Sequence, residues 1–151
     1  MSQPHELSAQ ELLAAYRNKT LSPVEATRSV LDHIARWEPH IHATYALDPD
    51  QALTQARASE ARWMKGEPQA CGGYSLDGVP ATIKENIATR GVPVPLGTAA
   101  TDLTPAAADA PPASRMREAS VVVFGQTTTP TSGMLFSWVS SFPVLTLKPL
   151  G

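Results

Sequence analysis

The residues that could carry chemistry are few: Lys84 after the stretch Val79-Pro80-Ala81-Thr82-Ile83, the pair His40 and His42, the single cysteine Cys71, and the adjacent serines Ser140 and Ser141. A lysine accepts a proton only when neutral, so its pKa has to fall from about 10.4 to roughly 7–8, a differential of about 3–5 kcal/mol. Burial beside another cation or oriented dipoles supplies such a shift. Val79 and Ile83 give Lys84 an apolar approach, but by residue type alone it is an exposed lysine at a strand end. His40 and His42 have no neighbouring cysteine or carboxylate cluster to complete a ligand set, so they read as solvated loop histidines and no metal is expected. Cys71 can form no intrachain disulfide, suits a reducing cytoplasm, and reads as an ordinary small loop residue. There is no G-x-S-x-G elbow, S-x-x-K, H-E-x-x-H or P-loop. No complete active site is visible, and no cofactor is expected.

Composition narrows the partners. A net charge of -2 offers no basic field for a phosphate backbone, and the Lys and Arg residues are scattered, so nucleic-acid binding is excluded as an expectation. The chain is 42% hydrophobic and 17% charged, enough apolar material for a globular core. Glu6, Glu11, Arg17 and Lys19 interrupt every apolar group near the start, against a secretory signal. No run approaches the roughly 18 apolar residues of a membrane span. A cytoplasmic protein is expected.

The elements that must position Lys84 begin with three helix starts. Ser8-Ala9-Gln10-Glu11, Ser22-Pro23-Val24-Glu25 and Asp48-Pro49-Asp50-Gln51 each place a capping oxygen three residues before Glu or Gln. Proline at the first helical position of the second and third fits, since its missing N–H would be unpaired there anyway. The second helix presents Val24, Thr27, Val30, Leu31, Ile34 and Trp37 on one face, with Pro39 closing it. The first offers Leu12, Leu13 and Tyr16; the third offers Ala52, Leu53, Ala56, Trp63 and Met64 before Gly66 ends it. Turn signals at Gly72-Gly73 and Asp77-Gly78 lead into a short strand over 79–84, with Pro80 confining it to an edge or to the strand's first residues. Residues 88–112 read as a long loop, a short helix follows from Asp109, and 121–124 form a buried strand closed by Gly125. Beyond Gln126 no clear period emerges.

The segment Leu76-Asp77-Gly78-Val79-Pro80-Ala81-Thr82-Ile83-Lys84-Glu85-Asn86-Ile87 resembles the L-x-G-V-P-x-x-I-K-D-N-I motif of the amidase-signature family. The likeness extends to Glu11-Leu12-Leu13 with the Ser22 start, to the alanine-rich stretch 52–61, and to Asp109-Ala110-Pro111 with Arg115-Met116-Arg117-Glu118-Ala119 and 121–125. Thr127-Thr128-Thr129-Pro130, Gly133-Met134-Leu135 and Val139-Ser140-Ser141 continue it. The sequence departs from the family pattern at Ser120, where glycine is usual, and at Gln126, where lysine is usual. Thr131, Trp138 and Phe142 depart as well.

This resemblance implies an α/β fold in which the chain supplies the N-terminal helices and the first few strands of a mixed, helix-flanked sheet. One partial domain over 1–151 is expected, with a helical part at 1–66 and a strand and loop part at 67–151. It implies that Lys84 is the lysine of a Ser-cisSer-Lys triad, that Gly133 borders the substrate pocket, and that Glu85 and Asn86 shape the turn after the strand. The family's glycine- and serine-rich signature would begin just past Gly151, so both triad serines and the oxyanion-hole amides fall outside, and Ser140 and Ser141 lack its glycine setting. The expectation is a truncated amidase, inactive alone toward the small-molecule amides on which the family acts. Its unpaired sheet edges favour self-association. A non-catalytic scaffold derived from an amidase, or a piece of a glutamine-using amidotransferase A subunit, are the alternatives.

Overall fold

The computed structural model describes residues 3–98 and 100–129. The chain divides into two compact units, the first comprising Met1–Ala35, Asp48–Ala81 and Arg115–Phe124 and the second Arg36–Leu47, Thr82–Ser114 and Gly125–Gly151. Helices α1 (Ala9–Arg17), α2 (Pro23–Ile41), α3 (Pro49–Lys65) and α4 (Pro111–Glu118) accompany strands β1 (Thr44–Tyr45), β2 (Pro80–Lys84) and β3 (Val122–Thr127). The strands form a sheet in the order β1-β3-β2. The expected α/β class, with helices and a small mixed sheet, is what forms.

The capping chemistry acts as its sequence dictates. Ser8 accepts from the Glu11 amide while the Glu11 carboxylate accepts from the Ser8 amide at 2.8 Å. Ser22 and Glu25 repeat the exchange at 3.2 and 2.8 Å. At α3 Asp48 accepts from the Gln51 amide at 2.9 Å, whereas the Gln51 side chain accepts from Gln55 Nε2, one turn on. Gly66, at φ +78°, ends α3. Pro39 does not close α2: it costs one backbone bond, and the helix runs on to Ile41. The Glu38 carboxylate then accepts from the Ala43 and Thr44 amides at 3.3 and 3.0 Å, leading the chain into β1.

In the first unit Leu12, Tyr16, Ala26, Trp63 and Val79 form the core, with Leu7, Leu13 and Leu21 packed against it. Tyr16 and Trp63 lie 5.9 Å apart with rings tilted by 60°. Each aromatic removes roughly 150–250 Å² from water, worth at most about 4–6 kcal/mol at 25 cal/mol per Å². Their polar tips converge on one turn, Tyr16 Oη donating to Gly78 O at 3.1 Å and Trp63 Nε1 to Asp77 O at 3.0 Å. The Asp77 carboxylate accepts from Arg62 Nε at 2.8 Å, Arg62 Nη2 at 2.6 Å and the Gln69 amide at 2.8 Å. Gly78 can only be glycine: its φ is +83°, and a Cβ there would lie 2.4 Å from Ser59 Oγ and 2.9 Å from Pro23. The Val122 amide donates to Val79 O at 3.0 Å, starting the β2–β3 pairing. Ser120, between α4 and β3, adopts φ +54°. Trp37 and Met64, expected on apolar faces, are 48% and 60% exposed.

In the second unit β1 pairs antiparallel with β3, Thr44 opposite Thr127 and Tyr45 opposite Gln126. The Glu85 amide donates to Thr127 O at 3.0 Å. Together with the Val122 to Val79 bond, this pairing advances along both strands in the same sense, so β2 and β3 are parallel and the sheet is mixed. Gly125 does not stop β3, which continues through it to Thr127. The glycine serves close packing, since a Cβ there would fall 2.7 Å from Leu47 Cδ2 and 3.1 Å from Leu47 Cα. Strand β1 has no counterpart among the elements expected from sequence. The described residues of 88–110 form no helix or strand beyond turns, and are pinned by Gly91 N to Ala106 O at 2.9 Å and Arg90 N to Asp109 Oδ1 at 2.8 Å.

Candidate functional site

Lys84 is the last residue of β2, and it is exposed. Its carbonyl accepts from the Ile87 amide at 2.9 Å, so the chain turns directly after it. The preceding side chain, Ile83, is 4% exposed and anchors the strand end. Between Lys84 and the turn sits Glu85, whose burial is complete. Its Oε1 accepts from the Thr129 amide at 3.0 Å, and its own amide is held by Thr127 O, so one residue clips the lysine-bearing turn to the chain leaving β3. Asn86 is exposed.

Burial raises the Glu85 carboxyl above the usual range, against a downward pull from the Thr129 and Gly97 amides, the Thr129 hydroxyl and, last, the charge of Lys84. Tyr45 is raised first by its own desolvation and then by the negative charge of Glu85. Gln126, opposite Tyr45, donates through Nε2 to Thr89 Oγ1 at 3.0 Å. Lys84 is thus borne on a strand end beside a buried carboxylate. Sequence reasoning missed that Thr129 is tied to Glu85 and Gln126 to Thr89; the only signal was the polar Gln126-Thr127 continuing an apolar run.

Other candidates separate from this place. His40 is exposed on α2 and meets Trp37 edge-on, with ring centroids 6.2 Å apart. His42 donates its amide to Glu38 O at 3.0 Å. No group of three or more metal-binding side chains gathers among the described residues. Cys71 is half-buried in a turn where its amide donates to Tyr74 O at 2.9 Å. Gly133, Ser140 and Ser141 lie outside the described residues, as do Thr131, Trp138 and Phe142.

The family model described as Amidase matches residues 25–150. The A subunit of glutamyl-tRNA(Gln) amidotransferase from Acidothermus cellulolyticus is 37% identical over 120 residues, which cover 80% of this chain and 23% of that protein. A bacterial aryl acylamidase of the amidase-signature enzymes is 30% identical, with a TM-score of 0.75 over 92% of this chain and 28% of that one. The peptide amidase solved with the competitive inhibitor chymostatin is 25% identical, with a TM-score of 0.81 over 97% of this chain and 31% of its own. The chain spans about a quarter of the length of the curated relatives it matches. With a match that runs through most of its residues and a fold shared with these enzymes, the chain belongs to the amidase-signature family.

Proposed function

We propose that this chain is the N-terminal part of an amidase-signature domain, a helical segment at 1–66 followed by a strand and loop segment at 67–151, and that it contributes Lys84 as the proton acceptor for hydrolysis of carboxylic amides. The observation that carries the reading is Lys84 at the last position of β2, inside the segment that resembles the family's lysine motif. The neutral amine takes a proton, relayed by one serine, from a second serine that attacks the amide carbonyl. The amine of the substrate departs, an acyl-enzyme remains, and water cleaves it. Lys84 is one of the three groups of this triad, and a general base without its nucleophile has no proton to take. The polypeptide by itself is therefore inactive in this reading, as a cytoplasmic protein that self-associates through its open sheet edges.

A second reading, a piece of a glutamine-using amidotransferase A subunit, is favoured by the relative at 37% identity that carries that name. The test is release of ammonia from simple carboxamides and from glutamine by the purified chain, beside Lys84→Ala. Equal background rates are expected. Turnover abolished by Lys84→Ala would overturn the inactivity while leaving the lysine its role, and turnover that survives Lys84→Ala would overturn both.

A further inference from the structure

Glu85, next to Lys84, is completely buried, and backbone from two other segments of the second unit meets its carboxyl. The Thr129 amide donates to Oε1 at 3.0 Å, and the Gly97 amide acts on the same carboxyl. The Glu85 amide donates to Thr127 O at 3.0 Å, so backbone and side chain together hold this residue to the chain leaving β3. Gly97 lies in a turn of two successive left-handed residues, Leu96 at φ +53° and Gly97 at φ +69°, closed by the Thr98 amide donating to Pro95 O at 3.1 Å. A leucine in that region is strained and persists where its surroundings over-determine it. The tie from the following amide to a buried carboxyl supplies such a constraint.

Two buried oxygens here complete no hydrogen bond among the described residues, Glu85 Oε2 and Thr129 Oγ1, although the Thr129 hydroxyl lies close enough to act on the carboxyl. The titratable groups coupled to Glu85 are Lys84, which is exposed and the weakest influence on it, and the phenol of Tyr45. A buried carboxyl with so little counter-charge takes a proton. On Oε2 that proton makes a donor beside the unused acceptor capacity of Thr129 Oγ1. The charge also matters to the neighbouring amine: a carboxylate one residue away favours the protonated lysine, whereas a proton acceptor has to be neutral. We propose that Glu85 is the positioning residue of Lys84, an uncharged clamp that fixes the lysine-bearing turn to the chain leaving β3 and to the Gly97 turn. This role rests on the reading of Lys84 as proton acceptor.

Two variants test it. Glu85→Leu keeps the volume but removes the acceptor, and Glu85→Gln keeps an acceptor for the amides and a donor for Thr129 Oγ1. In the full chain, Glu85→Leu should speed hydrogen exchange of the Thr129 and Gly97 amides by about tenfold relative to that of Val122, and Glu85→Gln should not. In a chimera of this chain with the remainder of the Acidothermus cellulolyticus relative, Glu85→Leu should lower kcat for glutamine hydrolysis by about 10- to 100-fold with KM little changed, since a misplacement of about 1 Å costs that much. Glu85→Gln should restore the rate with the wild-type pH profile. An acid limb that moves to lower pH in Glu85→Gln would reveal an ionised carboxylate acting on the lysine and overturn the proposal. So would a wild-type rate in Glu85→Leu, or exchange at Thr129 and Gly97 that Glu85→Leu leaves unchanged. If Lys84→Ala still abolishes activity, those outcomes leave the lysine its role, whereas a rate indifferent to Lys84→Ala overturns both. Should Glu85→Leu fail to fold, the pH profile of Glu85→Gln decides.

Discussion

Replacing Asp77 by alanine removes the carboxylate that receives two guanidinium bonds from Arg62 and the Gln69 amide. Asp77 is fully buried and Arg62 is 32% exposed at its side chain, so the change strands a partly buried cation and a backbone amide together. Breaking a fully buried pair costs about 3–5 kcal/mol. Because the guanidinium can regain some water, about 2–4 kcal/mol is the expected loss for Asp77→Ala. Asp77→Asn, which keeps one acceptor oxygen, should lose about 1–3 kcal/mol. Against a typical total of about 5–15 kcal/mol, either change is large. Urea unfolding followed by circular dichroism measures it as a fall in midpoint at constant slope. A cycle with Arg62→Met separates the pair from mere loss of volume, with a coupling of at least about 1 kcal/mol expected. If Asp77→Ala shifts stability by less than about 0.5 kcal/mol, or the cycle is additive, the ion pair does not hold this turn.

Ser120→Gly should stabilise the chain by about 0.5–1 kcal/mol, because a left-handed serine costs roughly 1–2 kcal/mol and glycine's extra unfolded-state freedom takes back only part of it; thermal melts would show a rise of about 1–4 °C. Gly125→Ala should destabilise by about 1–3 kcal/mol through overpacking against Leu47, read from the same melts. Burial raises the Glu85 carboxyl, so its contribution is fully present below the unfolded value near 4.3 and is lost as pH rises through the higher folded value. Glu85→Gln should therefore gain stability on wild type as pH rises through that window, and a constant difference across urea titrations at several pH values would contradict it.

Much of the local structure is legible in the sequence because its causes are local. Ser8, Ser22 and Asp48 announce their helices through side chains three residues from their partners, and Gly66 ends α3 by a conformation few other residues adopt. Pro80 marks the start of β2, which lies at an edge of the sheet among the described residues, in the same way. The differences lie where distant residues decide. Pro39 reads as the end of α2, but Glu38 bonding to Ala43 and Thr44 carries the chain past it. Gly125 reads as a strand stop, and only Leu47 reveals it as a packing glycine. β1 is two residues long and exists through its pairing with β3, which no periodicity over two residues can announce. At the site, the lysine motif marks Lys84 and its turn, whereas the burial of Glu85 against Thr129 depends on strand pairing between segments far apart in the chain.

The most direct trial of Lys84 is a chimera in which this chain replaces the corresponding N-terminal segment of the Acidothermus cellulolyticus relative, assayed for glutamine hydrolysis beside its Lys84→Ala form. The chimera should be active, and its rate should fall by about 10²- to 10⁴-fold, the usual contribution of a general base, when the lysine is removed. An active chimera whose rate is indifferent to Lys84 would contradict the role assigned to that amine.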